Sequence, residues 1–190
     1  MSSPVATLRI HHTEPSSRSN GPGWRAVVWV QGCTLGCPGC FNPETHPQPA
    51  GRIARVDELA EWVLSLSGKI EGITLSGGEP LQQISGVLPF LERIRKASSL
   101  SIVLFSGYSW GEIQKMPRSA QLLSSIDVLL AGRYDASRRR ASGLVGSNNK
   151  TVHFLTERYS QADLEAVPEA EVIVTDHGEI IFSGINPVQW

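Results

Sequence analysis

The chain has 190 residues, 41% hydrophobic and 18% charged, with a formal net charge of -1 at pH 7. That size fits one domain with a real core, and the balance excludes a disordered chain and gives no global attraction to nucleic acid. No stretch nears the roughly 18 continuous apolar residues of a membrane span and the first residues lack the regions of a signal peptide, so a cytoplasmic protein without membrane or nucleic-acid partners is expected.

No repeat or linker divides the sequence, so residues 1–190 are expected to form one domain. An N-terminal strand or arm is expected over about 1–19, and a hairpin and tail over about 168–190. Between them strand and helix signals alternate. Residues 24–31 (WRAVVWVQ) are β-branched and aromatic and run into a cysteine loop. Residues 57–66 place Leu59, Trp62, Val63 and Leu66 on one helical face. The run Gly72-Ile73-Thr74-Leu75-Ser76 is a short strand ending at Gly77-Gly78, and Leu81, Ile84, Leu88, Leu91 and Ile94 then recur at helical spacing.

Residues 101–105 (SIVLF) form the next strand, stopping at Ser106-Gly107-Tyr108, and a weaker helical stretch at 110–125 is interrupted by Pro117. Residues 126–130 (IDVLL) and 151–155 (TVHFL) are further apolar runs. Runs apolar on both faces are what a helix-covered parallel sheet requires. The end differs: residues 171–175, Asp176-His177-Gly178 and residues 179–183 read as a β-hairpin, placed at a sheet edge or over the mouth of the domain.

In parallel α/β architectures chemistry gathers at the carboxyl ends of strands. The cysteine loop, Gly77-Gly78, Ser106-Gly107-Tyr108 and Gly132-Arg133 each follow a predicted strand, so they are expected to line one rim. All three cysteines stand in that first loop, as C-x₃-C-x₂-C at Cys33, Cys37 and Cys40. An odd count without a signal peptide argues against a disulfide framework. Cys37 and Cys40 as a redox pair would leave Cys33 idle, and a zinc site would borrow His46 or His12 as fourth ligand. The third reading is an iron–sulfur cluster held at three corners, with one iron open for another molecule.

The loop Ser76-Gly77-Gly78-Glu79-Pro80 lacks Walker spacing, so it is not a phosphate loop. It reads either as an ordinary turn, with Glu79 capping the helix beyond Pro80, or as a backbone surface built for close approach of a ligand. Arg133, Arg138, Arg139 and Arg140 form a basic stretch, read as a solvated loop or as a docking patch, with Arg133 nearest the rim as a carboxylate clamp. His153 is expected to be a core or rim residue. Asn148 and Asn149 suit either a plain turn or a ligand contact.

Together these motifs resemble the radical S-adenosylmethionine superfamily, whose signatures are the three-cysteine loop after the first strand and the Gly-Gly-Glu-Pro loop after the second. The likeness is closer to the anaerobic ribonucleotide reductase-activating branch. It is carried by Asn20-Gly21-Pro22-Gly23-Trp24-Arg25, Gln31-Gly32-Cys33, Cys37-Pro38-Gly39-Cys40-Phe41-Asn42, Ser76-Gly77-Gly78-Glu79-Pro80-Leu81 and Gly146-Ser147-Asn148-Asn149, in order over residues 20–155. Two features depart from common patterns: Gly39, not an aromatic, precedes the third cysteine, and Glu79 stands where the branch often has Asp. The resemblance implies an α/β fold: an incomplete, laterally open (β/α) TIM-like barrel of about five or six parallel strands with a C-terminal β-hairpin.

It also implies a four-iron, four-sulfur (4Fe-4S) cluster on Cys33, Cys37 and Cys40 and S-adenosylmethionine on its open iron. Gly77, Gly78 and Glu79 would hold the methionine part, and Ser106, Gly107 and Tyr108, with Phe41, Asn42 and Arg133, the rest of the cofactor environment. The function implied is an oxidoreductase that installs a glycyl radical on a partner such as the anaerobic reductase, with a flavodoxin or ferredoxin as electron donor. The alternatives are a small enzyme of the same superfamily acting on a peptide or small molecule, and a non-catalytic zinc or iron–sulfur interaction module.

Overall fold

The computed structural model describes residues 5–174 and 177–185. The elements in chain order are β1 (Thr7–Ser17), β2 (Arg25–Val30), β3 (Arg52–Arg55), α1 (Val56–Ser65), β4 (Gly72–Gly77), α2 (Ile84–Ala97), β5 (Ser101–Ser106), α3 (Trp110–Gln114), α4 (Ser119–Ser124) and β6 (Val128–Ala131). There follow β7 (Arg139–Ser142), β8 (Val145–Ser147), β9 (Thr151–Phe154), α5 (Gln161–Glu165), β10 (Ala170–Val174) and β11 (Ile180–Gly184). Thr175 and Asp176 of the expected hairpin and residues 186–190 of the expected tail lie outside the described residues.

Seven strands form one open sheet in the order β3-β1-β2-β4-β5-β6-β9. Its centre, β2-β4-β5-β6, is parallel, whereas β1 and β3 on one flank and β9 on the other run antiparallel to their neighbours. The sheet is thus open and α/β as expected, but its parallel part has four strands rather than five or six. The expected strand over 151–155 is present with reversed direction. The reason is chain length: parallel neighbours need a crossover, normally a helix. Between β6 and β9 the chain makes only a 3₁₀ turn and the small β7–β8 hairpin.

Both faces of the parallel centre are buried, so its strands are apolar throughout. Ala26, Val28, Val30, Ile73, Leu75, Ile102 and Leu104 face a layer made by α1 and α2, with Leu59, Val63, Val87, Phe90, Leu91 and Ile94 from the helices. Phe90 and Leu91 are fully buried, and each such side chain contributes about 1.5–3 kcal/mol by leaving water. On the opposite face Val103, Val128 and Leu130 pack under Leu144, Val145, Leu164 and Val167. Pro117 does split the helical stretch: α3 ends at Gln114, and Arg118 turns the chain in a left-handed conformation (φ 63°) before α4. Trp62 packs against the core, and His153 stacks on Trp110 at 4.1 Å. No described helix is long and apolar enough to cross a membrane.

The base of β2 is held by Arg25, whose side chain is fully buried. Nε donates to Thr74 Oγ1 (2.9 Å) and Nη2 to the Ile73 carbonyl (2.6 Å). Nη1 donates to the Pro22 carbonyl (2.9 Å), Ser101 Oγ (2.9 Å) and Tyr159 Oη (3.3 Å). These acceptors are uncharged, and together they tie β2, β4 and β5 at the end of the sheet away from the cysteines.

Candidate active site

A cavity of about 510 Å³ opens at the carboxyl ends of the parallel strands. Cys33, Cys37 and Cys40, each half-buried, line it together with Ser76, Gly77, Gly78, Glu79, Ser106 and Gly107. Phe41 and Asn42 also lie on its wall, as do Leu35, Tyr134, Leu144 and Lys150. The antiparallel flank adds His11, His12, Glu14 and Trp29, and the hairpin adds Ile173, Ile181, Phe182 and Ser183. Of the four strand-end loops expected on one rim, the cysteine loop, Gly77-Gly78 and Ser106-Gly107 line this cavity and Gly132-Arg133 does not; the hairpin lies over the mouth rather than at the edge of the main sheet.

The cysteine loop is anchored at its start. The backbone N–H groups of Gly32 and Cys33 donate to the carbonyls of Thr45 (2.7 Å) and His46 (3.2 Å). The Gln31 side chain donates to the Glu44 and Pro47 carbonyls (3.1 and 2.8 Å) and faces His11 Nδ1 at 2.8 Å. Gln82 reaches across from the next loop, accepting from the Thr34 amide (3.2 Å) and donating to Thr34 Oγ1 (2.8 Å) and Tyr108 Oη (3.2 Å).

Gly77 and Gly78 let the end of β4 pack on the end of β2. Gly77 takes φ +100°, and a Cβ there would stand 2.6 Å from the Val30 nitrogen and oxygen. A Cβ on Gly78 would stand 2.4 Å from the Gly32 oxygen. The Gly78 N–H donates to the Val30 carbonyl (2.8 Å) and the Glu79 N–H to that of Gly32 (2.9 Å), so both amides are already occupied.

Glu79 is 1% exposed and braces two loops. Oε1 accepts from the Leu81 N–H (2.9 Å) and Ser106 Oγ (2.9 Å), and Oε2 from the Gly107 N–H (2.6 Å). It therefore caps the turn after Pro80, as one of the two sequence readings has it, and it also lines the cavity. Burial pushes its carboxyl above the usual carboxylate range, against those three hydrogen bonds and the charge of Lys150.

Tyr108 and Arg133 depart from expectation. Neither belongs to the cavity wall. Tyr108 faces Gln82, and Arg133 makes a two-pronged pair with Glu112, Nη1 to Oε2 at 2.8 Å and Nη2 to Oε1 at 3.0 Å. Hydrogen bonding from Arg133 holds the Glu112 carboxyl at about 2. Arg133 is a carboxylate clamp, but for a residue of its own chain. Asn149 donates to the Arg133 carbonyl at 2.8 Å, and its buried Oδ1 has no partner.

Lys150 was missed. It is the only lysine or arginine among the described residues lining the cavity, and Nζ donates to the Gly132 carbonyl at 2.5 Å. Burial lowers its pKa, opposed by the negative charges of Glu79, Cys37 and Cys40. The motif Gly146-Ser147-Asn148-Asn149 ended one residue short of it, and a single lysine carries no pattern that sequence reading could have used.

The thiols suit a metal core. Burial raises the Cys33 and Cys40 pKa values, and the negative charges of their neighbours, including Cys37, raise them further. A cationic core removes that penalty by holding them as thiolates. Among the described residues no three His, Cys, Asp or Glu side chains are grouped as ligands of a single ion. His12 and His46 line the same cavity as the three cysteines.

A family model described as a 4Fe-4S single cluster domain matches residues 19–153. The anaerobic ribonucleoside-triphosphate reductase-activating protein of Escherichia coli K12 is 32% identical over 78% of this chain and 99% of its own. Its namesake from Haemophilus influenzae is 33% identical over 73% and 93%, and that of Enterobacteria phage T4 is 30% identical over 72% and 87%. Among solved structures, QueE from Escherichia coli aligns with a TM-score of 0.45 and 15% identity, and the chain spans 54% of it. By the extent and identity of these sequence matches, the chain belongs to the family of anaerobic ribonucleoside-triphosphate reductase-activating proteins and carries a 4Fe-4S single cluster domain.

Proposed function

We propose that this protein binds a 4Fe-4S cluster through Cys33, Cys37 and Cys40, binds S-adenosylmethionine beside it, and installs a glycyl radical on an anaerobic ribonucleotide reductase. The observation that carries this reading is that all three cysteines of the chain share one cavity with Gly77–Glu79 and Ser106–Gly107. When bound, cluster and cofactor supply reductive cleavage of the sulfonium to methionine and a 5′-deoxyadenosyl radical able to abstract a hydrogen atom.

The chain's own residues supply position, charge and dryness. Glu79, on the cavity wall, would accept an N–H of the methionine ammonium group beside its bond from Gly107. Lys150, the cation of the wall, keeps N–H directions beyond its Gly132 bond for the carboxylate end or the thiolate side of the site. Ser106 and Gly107 hold Glu79 in place from the next loop. Leu35, Leu144, Ile173 and Phe182 surround the cavity with apolar surface, excluding water where a reactive carbon radical would be quenched.

The test is anaerobic reconstitution followed by iron analysis and by assay of 5′-deoxyadenosine after addition of dithionite and S-adenosylmethionine. Wild type is expected to hold about four irons per chain and release the nucleoside, and Cys37→Ala to do neither. A Cys37→Ala variant with a full cluster and normal release would sink the ligand assignment. Adding the reductase should then give a glycyl-radical signal in electron paramagnetic resonance. Nucleoside release without that signal would move the substrate to a peptide or small molecule. Zinc in place of iron would leave an interaction module.

A further inference from the structure

In the pairing of β1 with β2, His12 stands opposite Trp29 and Glu14 opposite Val27. His12, Glu14 and Trp29 therefore leave the sheet on one face, and all three line the cavity. Val27 precedes the last residue of β2, Val30, by three positions, so Glu14 lies about 10 Å along the strand from the end that leads to the cysteine loop. It is 7% exposed. Where Glu79 accepts three hydrogen bonds, Glu14 accepts one among the described residues, Oε1 from the Ser16 N–H at 3.3 Å. It joins no ion pair among them either. Burial pushes its carboxyl above the usual carboxylate range, against the Ser16 hydrogen bond and the charge of His12, and the negative charge of Glu171 adds to the push.

A carboxylate buried without a cation is costly. Lys150, on the same wall, faces the charges of Glu79, Cys37 and Cys40 rather than that of Glu14. Beside Glu14 stand the rings of His12 and Trp29, 5.5 Å apart, and the hairpin brings Ile173 and Ile181 to the same cavity. Carboxylate, ring faces and apolar surface are what a guanidinium or ammonium group on a methylene stem can use at once. S-adenosylmethionine has no such group to spare, since its charges lie in the methionine half and its nucleoside is neutral. His12, Glu14 and the hairpin also lie outside residues 19–153, the part matched as a 4Fe-4S domain, so this lobe is an addition to the cluster machinery.

We propose that Glu14, with His12 and Trp29, forms a second subsite of the cavity that binds a cationic side chain, arginine or lysine, of the polypeptide whose glycine is the substrate. This deepens the proposed function and rests on its reading that the substrate is a polypeptide. The subsite makes and breaks no bond. It holds one side chain in the flank and thereby selects which glycine of the partner reaches the cysteine end.

The probes are short alanine peptides with one central glycine and one arginine placed in turn at every other position, and a matching set with citrulline, the uncharged isostere of arginine. Binding is measured anaerobically by calorimetry on the reconstituted enzyme with S-adenosylmethionine present, for wild type and for Glu14→Gln. Iron content and the KM for S-adenosylmethionine in nucleoside release are measured on both proteins. The glycyl-radical signal on the reductase is recorded with wild type.

At one position or more, wild type is expected to bind the arginine peptide at least ~10-fold more tightly than its citrulline twin. Glu14→Gln is expected to bind both as weakly as wild type binds the citrulline form. A wild type that binds the two sets alike would overturn the proposal, and that result does not depend on how the variant folds. So would a preference for arginine that survives in Glu14→Gln. Free arginine amide binding as tightly as the best peptide would overturn it too, since the lobe would then serve a small cationic molecule. A raised KM for S-adenosylmethionine in Glu14→Gln, with the preference for arginine intact, would move Glu14 to the cofactor. Wild type that leaves no radical on the reductase overturns the polypeptide reading and this proposal with it, whereas equal binding of the two sets beside a normal radical signal overturns the subsite alone.

Discussion

Replacing Gly78 by alanine puts a methyl carbon 2.4 Å from the Gly32 oxygen, 2.9 Å from its carbonyl carbon and 3.1 Å from its nitrogen, where ordinary contact begins at 3.4 Å. All three atoms are backbone, so no side chain can swing away, and β4 must part from β2 by about 1 Å. Overpacking of this kind costs about 1–3 kcal/mol. The same movement stretches the Gly78–Val30 and Glu79–Gly32 hydrogen bonds, worth about 0.5–1.5 kcal/mol each, giving roughly 2–6 kcal/mol in all. Urea unfolding of the metal-free protein followed by circular dichroism measures it. With a slope of about 2 kcal/mol per molar, the midpoint drops by about 1–3 M. The matching control is Gly111→Ala in α3, where nothing lies within 4 Å of the added carbon. There alanine should be neutral or stabilise by up to about 1 kcal/mol. Because Gly32 adjoins Cys33, Gly78→Ala should also take up less iron. A Gly78→Ala midpoint within about 0.3 M of wild type would show that the two strand ends tolerate separation, and would refute the reasoning.

Three further outcomes follow from named contacts. Glu79→Gln keeps the shape but turns one accepting oxygen into a donor facing an N–H or O–H, costing about 1–3 kcal/mol in urea midpoint measurements. Because the folded state raises the Glu79 pKa above its unfolded value of 4.5, its linkage stabilisation is present below that value and is lost as pH rises through the folded value. The variant should therefore flatten the fall of stability above pH 4.5; an unaltered slope would show that Glu79 titrates normally. Arg25→Lys cannot satisfy the acceptors on Thr74, Ile73, Pro22 and Ser101 together, and thermal unfolding should show a loss of about 3–5 kcal/mol. Arg133→Ala should let the Glu112 carboxyl rise from about 2 toward its ordinary range, read by NMR titration. Since the pair contributes above the unfolded value and loses that contribution as pH falls toward 2, any stability difference from wild type should vanish in strong acid and in high salt.

The parallel centre of the sheet and its reactive loops were legible because each strand is a short apolar run stopped by glycine or serine. Burial on both faces writes that pattern directly into the chain. The direction of β9 was written there too, but as an absence: residues 133–150 hold no helical periodicity to carry a crossover. Other features come from contacts between residues far apart in the chain. Arg133 follows a strand and so looked like a rim residue, yet Glu112, twenty-one positions earlier, takes both prongs of its guanidinium. Lys150 enters the cavity because β8 and β9 turn it there, and Gln82 joins two loops whose approach depends on Gly77 and Gly78. Local pattern locates where a chain can react. Which polar side chains face one another is set by packing.

The hairpin over the mouth has a consequence for how the cavity is reached. β10 and β11 pair only with each other. Among the described residues, Glu171 accepts from Ser17 Oγ, from the Arg18 N–H (2.9 Å) and from Ser19 Oγ (2.8 Å), and Asn20 donates to Ser183 Oγ (2.7 Å). No ladder of the main sheet has to break for the roof to lift. In hydrogen exchange the amides of β10 and β11 should therefore open by a local route that Glu171→Ala accelerates, while those of β2, β4 and β5 wait for global unfolding. Among the described residues, entry to the cavity is held by the Glu171 carboxylate and by Asn20 rather than by strand pairing with the sheet beneath.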